Sequence, residues 1–135
     1  MSGFGTFGAR AYASVGVETS VTTSSPHALI LMLYDGALES LRLAGGCIQA
    51  NDPIGKVKAI SRATRIIDEG LRASLDHKAG GELAAQLDSL YDYMCRRTLH
   101  GSLQDDPAAL NEVAGIIDGL RSSWVAIAPK SQVAA

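Results

Sequence analysis

Aromatic residues are scarce: two Phe, four Tyr and one Trp make up 5% of 135 residues. The apolar share rests instead on Ala and Leu, 35 residues together, the strongest helix formers among apolar side chains, so the composition points to an all-α protein. Cysteine is limited to Cys47 and Cys95. Two thiols cannot build a disulfide framework, and neither has the Cys or His spacing of a zinc site, so a reduced compartment is the simpler reading. A basic excess is also missing. Twelve Lys and Arg stand against 14 acids, for a net charge of -2, which excludes the electrostatic footprint of nucleic-acid binding. The longest unbroken apolar run, Ala28 to Tyr34, has seven residues, far short of the roughly 20 that cross a bilayer. The first 25 residues lack the basic start and apolar stretch of a secretory signal, and the expected location is the cytoplasm.

Proline numbers only four, and its placement is informative. Ser25-Pro26, Asp52-Pro53 and Asp106-Pro107 each join a capping oxygen to a proline at the first helical position, where the missing N–H costs nothing. A further break is expected at Lys78-Ala79-Gly80-Gly81, with Glu82 favouring the next helix start, and Pro129 closes the last segment. These signals predict helices over 26–50, 54–78, 82–103 and 107–127. Apolar residues recur at three and four spacing in each. The stripes are Ile30, Leu33, Ala37, Leu41, Ala44 and Ile48; Val57, Ile60, Thr64, Ile67 and Leu71; Leu83, Leu87, Leu90 and Met94; and Leu110, Val113, Ile117, Leu120, Trp124 and Ile127. Short connections between four such helices specify an antiparallel up-down-up-down four-helix bundle. Residues 1–25 hold 13 Ser, Thr or Gly with isolated anchors such as Phe4, Tyr12 and Val17, which predicts a mobile N-terminal arm able to dock. The expected organisation is arm 1–25, bundle 26–130 and C-terminal tail 131–135.

No catalytic, cofactor or metal site emerges, and an enzyme is not expected. A di-iron bundle needs Glu and His three apart, and no such pair exists. A histidine phosphotransfer bundle is the alternative of the same fold, yet His27, His77 and His100 are followed three residues later by Ile30, Gly80 and Leu103 rather than Lys. A bundle that only dimerises is a third class. Asp88 and Asp92 read as a solvated face, and Arg96 and Arg97 as cations suited to the end of a helix. What remains is surplus apolar surface. Leu29 to Tyr34 is apolar all round, helix two has a second stripe of Ala59, Ala63, Ile66, Gly70 and Ala73 that could seat a partner helix, and mean hydropathy is slightly positive at +0.11.

The run Thr22-Thr23-Ser24-Ser25-Pro26-His27-Ala28-Leu29-Ile30-Leu31-Met32-Leu33-Tyr34-Asp35-Gly36-Ala37 resembles the flagellar export chaperone family FliS. The resemblance continues through Arg62-Ala63-Thr64-Arg65-Ile66-Ile67-Asp68-Glu69-Gly70-Leu71, Leu75-Asp76, Gly80-Gly81-Glu82 and Leu90-Tyr91-Asp92-Tyr93-Met94-Cys95-Arg96-Arg97, and covers residues 12–130. It departs from the family at Gly101 and Ser102, where many members have a polar Asn-containing turn. It implies a cytoplasmic chaperone that binds the disordered C-terminal region of flagellin, blocks premature polymerisation and presents the client to the type III export gate, an export-gate component being a further contact. It also implies that the arm covers part of the client groove when flagellin is absent. Apolar surplus and family motifs together nominate Tyr12, Leu29, Leu33, Tyr34, Ile66, Gly70, Tyr91 and Met94 as client-binding, on a monomer or weak homodimer with no cofactor, no nucleic acid and no membrane insertion.

Overall fold

The computed structural model describes residues 25–127, which are helical throughout apart from short connections, with no strand among the described residues. Helix α1 spans Pro26–Gln49, α2 spans Pro53–Arg65 and runs on as a π-helical stretch over Ile66–Arg72, α3 spans His77–Leu103 and α4 spans Pro107–Ala126. This is the antiparallel four-helix bundle that the stripes specify. Residues 1–24 of the expected arm, with Tyr12, and the tail at 131–135 lie outside the described residues.

The three Ser/Asp-Pro starts form as read. Ser25 Oγ accepts from the Ala28 amide at 3.1 Å, Asp52 Oδ1 from Gly55 at 3.0 Å and Asp106 Oδ1 from Ala108 at 3.1 Å, each with proline in the first turn. The second helix differs from expectation. It was predicted over 54–78 but ends at Arg72, because Asp76 Oδ1 accepts from the Ala79 amide at 3.0 Å and starts a new turn at His77. Gly81, at φ 52, then sets that turn off from the rest of α3, a left-handed conformation that glycine adopts without the clash of a Cβ. The predicted glycine break is therefore real, but it kinks a helix that has already begun.

The core holds the middle of each stripe. Leu33, Ala37, Ile67, Met94, Val113 and Ile117 are fully buried, with Leu41, Ile60, Leu71 and Leu110 nearly so. Val57, Leu83 and Ile127 were read as core and are exposed. They sit at or near the ends of their stripes, where the neighbouring helices no longer cover them. The small-residue stripe of α2 has its partner within the chain: Ala59, Ala63, Ile66 and Gly70 are buried, and a Cβ at Gly70 would come 2.9 Å from Leu33 Cδ2 of α1. Glycine thus lets α2 approach α1 closely at this point. Arg62 seals the same interface, donating to Ser40 Oγ at 2.7 Å and the Gly36 carbonyl at 3.2 Å. Gly101 is likewise buried, where a Cβ would come 2.8 Å from Leu110 Cδ2 and 3.2 Å from Ala109 Cβ, and α3 continues to Leu103.

Candidate functional site

The four-helix topology leaves its two ends unequal. Two connections, after α1 and after α3, close one end; at the other a single connection joins α2 to α3, and α1 begins and α4 ends. There the stripes run out without cover, and an open cavity of about 510 Å³ forms between the start of α1, the end of α2, the first half of α3 and the end of α4. Ile30 and Tyr34 line it from α1, Leu71, Ser74, Leu75 and Asp76 from the end of α2 and the connection, Leu83, Leu87 and Tyr91 from α3, and Leu120, Trp124 and Ile127 from α4.

Most polar side chains of this groove are already engaged inside the fold. The Tyr34 and Tyr91 hydroxyls share a buried hydrogen bond at 2.8 Å. Burial raises the pKa of both phenols, and at Tyr34 the bond to Tyr91 works against that rise. Ser74 Oγ donates to the Gly70 carbonyl at 2.5 Å, and Asp76 is spent on its cap. Trp124 Nε1 donates to the His27 carbonyl at 2.9 Å while His27 Nε2 donates to the Trp124 carbonyl at 2.6 Å, and the two rings stack with centroids 4.9 Å apart. This reciprocal clasp ties the start of α1 to the end of α4 at the groove's edge. What the groove still offers is apolar surface from aliphatic side chains and the Trp124 ring, suited to an apolar segment rather than to a polar ligand.

Ion pairs hold the surrounding helices. Arg121 reaches Asp35 at 2.6 Å from α4 to α1. Arg72, the last residue of the π-helical stretch, reaches Asp88 at 2.7 Å and also pairs with Asp68 and Asp92. The hydrogen bond from Arg72 holds the Asp88 carboxyl below its ordinary range. Asp88 and Asp92 are therefore cross-helix anchors rather than a plain solvated face. Arg96 pairs with Asp92 at 3.0 Å and Arg97 with Glu112 at 2.8 Å, the partner carboxylates that a dipole reading alone left out. Glu112 also accepts from the Tyr93 hydroxyl, and these two bonds lower its pKa, the Tyr93 bond first. Burial pushes the Cys95 thiol up to about 11, leaving little thiolate at neutral pH. Among the described residues no group of three or more His, Cys, Asp or Glu is arranged to hold a metal ion, and no helix is long and apolar enough to cross a membrane.

Of the residues nominated from sequence, Tyr34 and Tyr91 meet at the groove. Leu29, Leu33, Ile66, Gly70 and Met94 are buried in the interior of the bundle, and Tyr12 lies outside the described residues. Leu75, Leu83, Leu87, Leu120, Trp124 and Ile127 were not nominated, although all but Leu75 stood in the stripes. The signal available was position: those five occupy the half of a stripe nearest the open end.

A sequence profile of the family described as Flagellar protein FliS matches residues 8–131. The chain is 45% identical over 124 residues to the flagellar secretion chaperone FliS of Salmonella typhimurium strain LT2, covering 92% of each. It is 40% identical over 117 residues to the protein of that name from Escherichia coli K12, covering 87% of this chain and 86% of the relative. With the Bacillus subtilis 168 protein it shares 36% identity over 107 residues, covering 79% and 78%.

Proposed function

The chain belongs to the FliS family, and from that premise we propose that it is a cytoplasmic flagellar secretion chaperone whose client is the disordered C-terminal region of flagellin. The observation that carries this reading is the apolar groove at the open end, most of whose polar lining groups have partners within the fold. A filament subunit has self-complementary ends, and masking an apolar terminus removes the nucleus for polymerisation until the client is handed to the export gate. A disordered client is ordered only on binding, so extensive apolar contact is needed to offset the entropy lost. The groove supplies it with Leu75, Leu83, Leu87, Leu120 and Trp124, while Tyr34 and Tyr91 fix its wall. The buried nominees Leu29, Leu33, Ile66, Gly70 and Met94 serve by packing the helices that carry that wall.

Residues 1–24 precede Ser25, at the same end of the bundle as the groove, and the arm is proposed to compete with the client through Tyr12. An arm docked ~90% of the time weakens apparent client affinity about tenfold. Deleting residues 1–18 is then expected to tighten binding, and a deletion that weakens it while the bundle stays folded would make the arm part of the clamp. The principal test is isothermal titration of the protein with a peptide from flagellin's last ~40 residues, a length suited to a wrapped disordered client. Saturable binding lost in Leu83→Asp, with thermal unfolding unchanged, supports the groove. Undiminished binding to that variant would remove Leu83 and its neighbours from the client site.

A further inference from the structure

Helix α4 is packed into the bundle along its first half and only tied to it along its second. Ala109, Leu110, Val113 and Ile117 are buried, and no residue from Asp118 to Ile127 is. Leu120, Arg121 and Trp124 are half-buried and the rest of that stretch is exposed. The same stretch is a wall of the groove, to which it gives Leu120, Ser123, Trp124 and Ile127.

Two cross-links, both to α1, hold this wall. Arg121 reaches Asp35 at 2.6 Å, with both partners more than a third exposed, so that water screens the pair and its contribution is small. The His27–Trp124 clasp is the stronger tie, since two hydrogen bonds and a ring stack act together. It also gives a partner to the Trp124 carbonyl, one of those that a helix ending at Ala126 leaves without an intrahelical donor. No basic side chain lies in the last turn of α4 to do this from within the helix.

Glycine marks the boundary between the two halves. Gly115 and Gly119 flank Ile117, the last buried residue of α4, and a Cβ at either would meet nothing within 4 Å. Close packing explains Gly70 and Gly101 but neither of these, and each weakens the helix about fivefold relative to alanine. Gly45 and Gly46 are equally unencumbered, but they lie near the end of α1, where the helix stops in any case. Lost burial, unforced glycines and ties to a single neighbour therefore coincide in one segment, the conditions under which part of a fold opens as a local unit.

We propose that residues 118–127 form a hinged wall of the groove, bending at Gly115 and Gly119 and latched to α1 by the His27–Trp124 clasp. Releasing the latch carries Leu120, Trp124 and Ile127 away from α1 together and widens the groove. In the latched form its volume of about 510 Å³ is that of a pocket for a small molecule, whereas a helical chain segment is about 10–12 Å across. The hinge belongs to the chain alone; its use as a gate for the client rests on the function proposed above.

The test is native-state hydrogen exchange of the full chain without client. Amides 119–127 are expected to exchange as one group with a common opening equilibrium, at least tenfold faster than amides 110–117. His27→Ala should widen that gap at least fivefold, and Gly115→Ala with Gly119→Ala should narrow it at least tenfold. Should His27→Ala fail to fold, the glycine variant decides alone, because alanine favours the helix. A loss of protection graded smoothly toward Ile127 would mean ordinary fraying and would overturn the proposal, as would a gap unchanged by the two alanines. The gate is then tested by rapid mixing with the flagellin peptide, read by the fluorescence of Trp124, the single tryptophan of the chain. Association should slow at least fivefold in the glycine variant, and an unchanged rate would overturn the gate. A parent chain that binds no peptide would overturn the flagellin reading instead, while the exchange result still decides the hinge.

Discussion

The two ends of the bundle are made from the same four helices and behave differently because one end has two connections and the other has one. At the closed end, Asn51 and Asp105 take left-handed backbone conformations in the tight turns. Lys56 ties the turns together, bonding to Asp105 at 2.7 Å and to the Ser102 carbonyl. The cavity at this end mixes Cys47, Ile48 and Pro53 with Asn51, Asp52, Lys56 and Asp105, polar groups that water can also satisfy. At the open end the connection is a single short segment, the α1 start and α4 end are held by the His27–Trp124 clasp, and the cavity is apolar. Stability should therefore be sensitive to changes in the middle and at the closed end, and client binding to changes at the open end.

The strongest way to expose this division starts in the middle. Ile66 is fully buried, and a charge placed there without a partner costs on the order of 3–5 kcal/mol, a large part of a typical domain's 5–15 kcal/mol. Ile66→Asp is expected to lose most of its helical circular dichroism at room temperature. A folded variant that merely fails to bind client would return Ile66 to the contact surface. At the open end the opposite result is expected: Leu83→Asp or Leu75→Asp should weaken binding of the flagellin peptide more than tenfold, a loss of about 1.4 kcal/mol or more, with a melting temperature within a few degrees of the parent.

Smaller effects sharpen the comparison. Lys56→Ala removes the tie across the closed end, whose lysine is mostly buried and whose aspartate is exposed; the expected loss is about 1 kcal/mol in urea unfolding, with client affinity unchanged. Beneath the groove, Tyr34→Phe and Tyr91→Phe each strand one buried hydroxyl and should each cost about 1 kcal/mol, whereas the double variant should cost less than their sum. Additive losses would mean the two hydroxyls are not coupled. The smallest effect is one of pH. Because Arg72 depresses the folded-state pKa of Asp88 below its ordinary 3.8, the stability this adds is present above that value and is lost as pH falls through the lower folded-state pKa. Asp88→Asn should make the urea midpoint fall less steeply as pH is lowered below that ordinary value.

Much of the fold was legible because its signals are local. Ser25-Pro26, Asp52-Pro53 and Asp106-Pro107 place three helix starts by hydrogen bonds reaching only two or three residues along the chain. Asp76 escaped notice because it makes the same kind of bond without a proline to mark it, so the second helix was read too long. The candidate site was less legible. Leu83, Leu87, Leu120 and Trp124 have the spacing of core residues, and spacing says which face of a helix they share but not whether another helix covers that face. Conversely, Ile66 and Gly70 have the spacing of surplus surface, yet Ile66 is fully buried and Leu33 of α1 packs on Gly70.

The sequence by itself determined the helices, their order and the antiparallel bundle, since caps, glycine breaks and apolar periodicity all act within a few residues. Only the tertiary structure decided which apolar residues were left over. Burial belongs to pairs of helices and to the ends at which they close. In this topology the start of α1, the end of α4 and a lone connection share one end, so the last turns of the stripes meet there as an open groove instead of as core.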